Sequence, residues 1–329
     1  MKADSTASVG VREMRIRFWG VRGSVPAPLT SEMVGAKIEQ ALHLAREADL
    51  SGEGAVAEFV QGLPFEIRGT CGGNTSCVQV QSGDTCLILD AGSGVRDLGL
   101  DLLEGPCGQG QGTVHFLISH THWDHIQGFP FFLPAFVPGN RIIIHGPQQN
   151  LAQRFADQQS ELEKFPVPLS EMSAEIQFVP LFEPGDEIGG VKVRFRSLHH
   201  PGGSYAYRLE AGGRVLVYAT DAEYPSVNPA DIASYLAFFE GADMLIFDSM
   251  YTFSESMAKI GWGHSTAFIG VDLAVAAGVK RLVLFHHEPT YDDAKLKVIL
   301  DKTRTYYDLV GEGNGLEVVL AVEGLELSI

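Results

Sequence analysis

The sequence predicts a layered α/β fold, a two-sheet core with helices outside. Strand-like segments follow one another in runs, too many in succession for a purely alternating βα chain. Helical segments recur between the strands of the last third. The 329 residues show no repeat, low-complexity tract or obvious linker, and a chain of this length can bury a full core without staples. One domain over residues 14–329, preceded by a flexible tail at 1–13, is the simplest division.

Taken in order, Met14–Phe18 alternates as a strand and runs into the turn-rich Gly20-Val21-Arg22-Gly23-Ser24. Residues 31–61 read as a helical insertion, because Val34, Ile38, Leu42, Ala45 and Phe59 recur near helical spacing among charges. Cys77–Gln81 and Thr85–Leu89 form a strand pair around the Ser82-Gly83-Asp84 turn. Val114–Ser119 and Arg141–His145 are short apolar runs, as buried strands are. Residues 148–164 are Gln-rich and helix-compatible. Gln177–Val179, Val191–Ser197, Tyr205–Leu209 and Val215–Ala219 are strand-like, the last two joined at Gly212-Gly213. Asp243–Phe247, Arg281–Phe285 and Glu317–Val322 are strands, with helices at 265–277 and 292–308.

Asp and Glu number 41 against 24 Lys and Arg, a net charge of −17. A strongly acidic surface repels polyanions at long range, which argues against a large nucleic-acid-binding face. Bound cations can reverse that sign locally, so a small phosphate ester stays open. Residues 1–14 have no apolar core of a signal peptide, and no run approaches the ~20 apolar residues of a membrane helix. Cys71, Cys77, Cys86 and Cys107 form no C-x-x-C pair. A cytoplasmic protein with reduced thiols is expected.

The main chemical signal is His120-Thr121-His122-Trp123-Asp124-His125, directly after the Val114–Ser119 strand. A strand-end loop can aim successive side chains at one centre, and imidazole with carboxylate suits zinc, manganese or iron. Chance clustering of three histidines and an aspartate at this spacing is improbable.

This segment resembles the H-x-H-x-D-H signature of the metallo-β-lactamase superfamily. Asp90 in Leu87-Ile88-Leu89-Asp90-Ala91-Gly92, His200 in Leu198-His199-His200-Pro201-Gly202, Asp221 in Tyr218-Ala219-Thr220-Asp221 and His286 in Leu282-Val283-Leu284-Phe285-His286 match its later motifs. The resemblance implies an αββα sandwich of two mixed sheets packed face to face. It implies two divalent metal ions, zinc with manganese or iron as alternatives. His120, His122 and His200 would hold one ion; Asp124, His125 and His286 the other; Asp221 would bridge. Asp90 would orient a ligand histidine. His200 is favoured over His199 because it abuts the Pro-Gly-Gly turn, and His286 over His287 because it ends the strand.

Gly263-His264-Ser265-Thr266-Ala267 is similar to the His-Ser-Thr segment of ribonuclease Z and its phosphodiesterase relatives. That likeness makes His264 a general acid, with Asp248 holding its tautomer. Asp124 is counted with them as catalytic as well as metal-binding. The structural alternative is a helix cap by Ser265. Asn74, Thr75 and Ser76 are candidate substrate donors, or else a turn held by its own side chains. Trp262, Trp123 and Phe129–Phe132 are candidates to stack on bases, or else core or dimer contacts. No protruding basic arm for tRNA is seen: Asn150–Pro168 is acidic or neutral. The implied activity is a phosphodiesterase on a small anionic ester such as a cyclic nucleotide or dinucleotide, with a metal-held hydroxide attacking phosphorus and His264 protonating the leaving oxygen. A thioesterase or lactonase, a tRNA 3′-processing endonuclease and an iron redox protein are the alternatives; a homodimer is also implied.

Overall fold

The computed structural model describes residues 13–160, 165–225, 228–311, 313 and 315–329. The tail expected at 1–13 lies, but for Glu13, outside the described residues, as does the 161–164 end of the helix-compatible stretch.

The chain runs through β1 (Met14–Gly20), α1 (Ser31–Ala45), α2 (Ala55–Gly62), α3 (Phe65–Arg68), β2 (Cys77–Ser82), β3 (Thr85–Leu89) and α4 (Val95–Leu103). Next come β4 (Thr113–Leu117), α5 (Trp123–Ile126), β5 (Arg141–Gly146), α6 (Leu151–Gln158) and β6 (Glu175–Pro180). The second half holds β7 (Asp186–Ile188), β8 (Val191–Leu198), β9 (Ser204–Ala211), β10 (Arg214–Ala219), α7 (Pro229–Phe239) and β11 (Met244–Asp248). It closes with α8 (Phe253–Ala258), α9 (Ala267–Ala276), β12 (Arg281–Phe285), α10 (Asp293–Val310), β13 (Glu317–Leu320) and β14 (Glu326–Ser328).

Two seven-stranded sheets result, ordered β14-β1-β2-β3-β4-β5-β6 and β13-β12-β11-β10-β9-β8-β7. Both are mixed. In the first, β3 to β6 run parallel and the rest pair antiparallel. In the second, β10 to β13 run parallel and β7 to β10 antiparallel. Period-2 burial along β1 turns Met14, Ile16 and Phe18 inward, where they meet Leu87, Tyr207, Tyr218 and Phe285 from both sheets. Outer apolar layers complete the αββα sandwich. Phe116, Phe129, Phe132 and Phe155 pack outside the first sheet, and Phe239, Phe247, Val271 and Leu282 outside the second. Strands so covered on both faces are buried throughout, as β11 is, its apolar Met244–Phe247 run ending in Asp248.

The helical reading of 31–61 needs correction. It is two helices, broken at 46–54, with Gly54 at φ 82° preceding α2. Its stripe does not face a core: α1 buries no residue, and Val34, Ile38 and Leu42 are exposed. Among the described residues no helix is long and apolar enough to cross a membrane. All four cysteines are buried free thiols.

Candidate metal centre

The side chains singled out by spacing come from the ends of β3, β4, β8, β10, β11 and β12, the carboxyl ends at which open α/β sheets bind ligands. Three of them bend the chain sharply: Asp90, Asp221 and His286 have φ of 61°, 50° and 62°. Non-glycine residues enter this left-handed region at a cost, and the cost clusters where a side chain must be aimed.

His120, His122 and His200 bring their ring nitrogens into one group; Asp124, His125, Asp221 and His286 form another. Within each, the donor atoms lie within 4.8 Å of one another. Asp221 joins the two groups. Its Oδ1 is 3.1 Å from His125 Nε2 and 3.2 Å from His286 Nε2, while its Oδ2 is 3.6 Å from His120 Nε2 and 3.8 Å from His200 Nε2. Asp124 Oδ2 lies 3.2 Å from His286 Nε2 and 3.3 Å from His125 Nε2. One buried carboxylate thus turns one oxygen to each group, the arrangement that two neighbouring cations can share. His120 Nε2 is buried without a hydrogen-bond partner. A buried polar atom left so is costly unless something else occupies its lone pair, and a divalent cation fits.

Outer contacts orient these donors. Asp90 Oδ2 is 2.7 Å from His125 Nδ1 and accepts from Tyr218 OH and Ser119 Oγ; Asp90 Oδ1 accepts from the Ser119 amide. The Gly263 carbonyl is 2.8 Å from His200 Nδ1, which fixes Nε2 as the nitrogen facing the group. The members of each adjacent histidine pair are placed differently. His199 is exposed and outside both groups. His287 is buried with Nε2 bonded to the Ala321 carbonyl, and burial pushes it down to about 3.

Burial pushes His120 well below its ordinary value, and lowers His122 and His200. Neutral imidazole is the form that binds metal. Burial also opposes charge on His125, but Asp221, Asp124 and Asp90 outweigh it and hold this ring well above the ordinary value. Burial would raise the Asp124 and Asp221 carboxyls; His125 beside both, with His286, holds them far below the usual range. The second group is a dense knot of opposite charges, ready to exchange protons for cations.

His264 stands at the rim, with Nδ1 2.8 Å from Asp248 Oδ2 and 4.0 Å from Asp221 Oδ2. Asp248 is fully buried and is itself fixed by the Ala222 and Met250 amides. Burial works against charge on His264, but Asp248, then Asp221 and Asp124, raise it to about 9. The helix cap before α9 comes from Thr266, whose side chain accepts from the Ile269 amide, and Ser265 Oγ has no partner. The capping alternative therefore leaves His264 unexplained.

Of the candidate substrate donors, Asn74 and Thr75 are otherwise engaged, and Ser76 is buried with no partner for its Oγ. Thr75 and Ser76 are fully buried; Thr75 Oγ1 accepts from Ser93 N and Gln127 Nε2. Asn74 Oδ1 accepts from Ser93 Oγ, and Asn74 Nδ2 faces Glu323 and Asp97. Asn74 and Thr75 tie the turn to Ser93 by their own side chains, and the Ser76 side chain does not. Phe129 and Phe132 are core, whereas Trp123 is 82% exposed and Trp262 60%. Two contacts escaped the sequence reading. The Ser24 amide donates to Asp124 Oδ2 at 2.7 Å, and Gly23 packs so tightly that a Cβ there would come within 2.5 Å of the His286 ring. The Gly-containing turn at 20–24 was the signal for both.

Residues 85–287 match the family profile described as a beta-lactamase superfamily domain. The chain belongs to the metallo-β-lactamase superfamily. Ribonuclease Z of Haloarcula marismortui is 25% identical over 302 residues, covering 77% of this chain and 90% of that protein. Ribonuclease Z of Picrophilus torridus is 32% identical over a shorter stretch, 29% of this chain and 28% of that protein. The Bacillus subtilis metallo-β-lactamase fold protein YhfI superposes with a TM-score of 0.62 at 20% identity, covering 97% of this chain and all (100%) of that one. Yeast PDE1 does so with 0.63 at 12% identity, over 97% and 100%. These structures share the fold. The family match and the two donor groups make the chain a metal-dependent hydrolase with a dinuclear site.

Proposed function

We propose that this hydrolase is a phosphodiesterase acting on a small anionic phosphodiester, a cyclic nucleotide or dinucleotide. His120, His122 and His200 would hold one divalent ion, Asp124, His125 and His286 the other, with Asp221 between them. Such a pair lowers the pKa of water towards 7 and offsets charge on the phosphoryl oxygens. The chain's own residues do the rest. Asp90 and the Gly263 carbonyl keep His125 and His200 aimed inward. His264 gives its proton to the leaving oxygen, and Asp248 keeps the ring oriented and charged.

The observation that carries this reading is the His264–Asp248 pair. Hydrolysis of a thioester needs no such acid beside the metals, because a thiolate leaves unprotonated, whereas the poor alkoxide leaving group of a nucleotide phosphodiester does. The likeness to ribonuclease Z, a nuclease by name, supports the same bond type. The acidic net charge of −17 favours a small ester over tRNA. The test is H264A loaded with zinc or manganese. It should keep both ions and lose roughly 10²–10⁴-fold in turnover of a nucleotide phosphodiester, whose alkoxide needs the proton, and far less in turnover of bis-p-nitrophenyl phosphate, whose phenolate leaves without one. Loss of metal in this variant, or faster wild-type cleavage of thioesters and lactones than of phosphodiesters, would overturn the assignment.

A further inference from the structure

Beside His264 the surface carries a cation with no carboxylate to neutralise it. Lys259 Nζ lies 4.0 Å from the centroid of the Tyr251 ring and 5.5 Å from that of Trp262. Among the described residues no acidic side chain pairs with it. In a chain with 41 acidic residues that is a choice of position, since a lone ammonium held on two aromatic faces keeps its N–H groups for something else. Tyr251 is buried and stands edge-on to His264, ring centroids 5.7 Å apart, so one ring separates the ammonium from the imidazole.

The turn that carries the neighbouring indole is anchored through its backbone. Glu223 accepts from the amides of Gly261 and Gly263, which flank Trp262. Both glycines have positive φ, 84° and 83°, and a Cβ on Gly263 would lie 2.3 Å from His200 Nδ1. The turn is locked against a histidine of the first donor group, yet it leaves Trp262 facing solvent. A bulky aromatic fixed in the open at the rim of a reactive centre offers a stacking face.

We infer that Lys259 and Trp262 form the subsite for the leaving group, and that this group is a nucleotide bearing a phosphate of its own. This rests on the phosphodiesterase reading and sharpens it: a linear dinucleotide with a terminal phosphate is the substrate, not a cyclic mononucleotide. Lys259 pairs with the terminal phosphate and Trp262 stacks on the base. Water adds its hydroxyl to the scissile phosphorus, the bond from phosphorus to the leaving 3′ oxygen breaks, and that oxygen takes the proton from His264. The dinucleotide pApA with water gives two AMP.

The metal-loaded protein tests this in two ways. The wild type should cleave pApA with kcat/KM about tenfold or more above ApA, which has the same scissile bond and no terminal phosphate, the size of one charge-assisted hydrogen bond. K259M should erase that preference, and K259R should restore most of it. The second measurement needs no turnover. AMP should quench tryptophan fluorescence, W262A should abolish the quench, and K259M should weaken AMP about tenfold while leaving adenosine binding alone. Equal wild-type rates on pApA and ApA, or AMP affinity unchanged in K259M, would overturn the subsite. If no phosphodiester is cleaved but AMP binding still depends on Lys259, the subsite stands and the reaction class falls.

Discussion

Asp90 gathers the outer hydrogen bonds of the second donor group. Its two oxygens take the Ser119 amide, the Ser119 and Tyr218 hydroxyls and His125 Nδ1, all within 2.8 Å. D90N keeps the shape but presents an amide N–H₂ to at least one donor. We expect D90N to lose about 10–100-fold in metal affinity, read by competition with a chromophoric chelator, with the fold kept by circular dichroism. Unchanged affinity would mean that His125 is oriented by its packing alone. Most of this centre was legible because its donors are side chains with a chemistry of their own. His120, His122, Asp124 and His125 advertise themselves by spacing, and Asp90, Asp221 and His286 by ending apolar strands. The Ser24 amide and the Gly263 carbonyl were not legible, because a backbone group has no residue-type signal and its position is set by contacts distant in sequence.

At the scale of elements the strands were read well and the short helices poorly. β2, β3, β8 and β10 show period 2 or unbroken apolar runs. Helices α4, α7 and α8 went unread: α4 and α8 are short, and α7 is apolar along most of its length, with no polar face to mark a helical period. Strands β7 and β14, three residues each, went unread for the first of these reasons. α1 raises a different question, because nothing of it is buried. It is tied down by charge. Lys37 Nζ donates to Asp293 at 2.8 Å and to the carbonyls of Gly69 and Glu66. Asp293, the first residue of α10, also accepts from the Cys71 amide at 2.7 Å. Burial would raise the Asp293 carboxyl, but the Cys71 amide and Lys37 outweigh it and hold it below the ordinary value. A depressed carboxyl stabilises the fold above its unfolded value near ~4 and stops doing so as the pH falls through the folded one. D293N should therefore cost about 1–3 kcal/mol at pH 7, read by urea denaturation. The difference from wild type should shrink towards pH 3. A gap that is the same at both pH values would show that shape, not charge, ties α1 to α10.

Over the whole molecule the opposing facts are a net charge of −17 and a centre suited to an anion. The sandwich reconciles them by distance. Its parallel strands deliver the donors to one edge, where two bound cations, with Lys259 nearby, would make a local positive site in an otherwise acidic chain. Exposed charges farther apart than ~8–10 Å are screened at physiological salt, but not in dilute buffer. An approaching anionic ester would thus meet repulsion at long range and attraction at short range, and salt weakens the first more than the second. For a nuclease that grips its substrate with a basic surface, added salt lowers affinity steeply, because counterion release is lost. Here the sign should reverse. Raising sodium chloride from 10 to 150 mM should increase kcat/KM for a small dianionic ester by about twofold, and less for a monoanionic one. The measurement is a pair of steady-state series at fixed pH and fixed metal. A fall with salt for both esters would mean that the positive rim governs encounter as well as binding, and would return a longer polyanion to consideration as substrate.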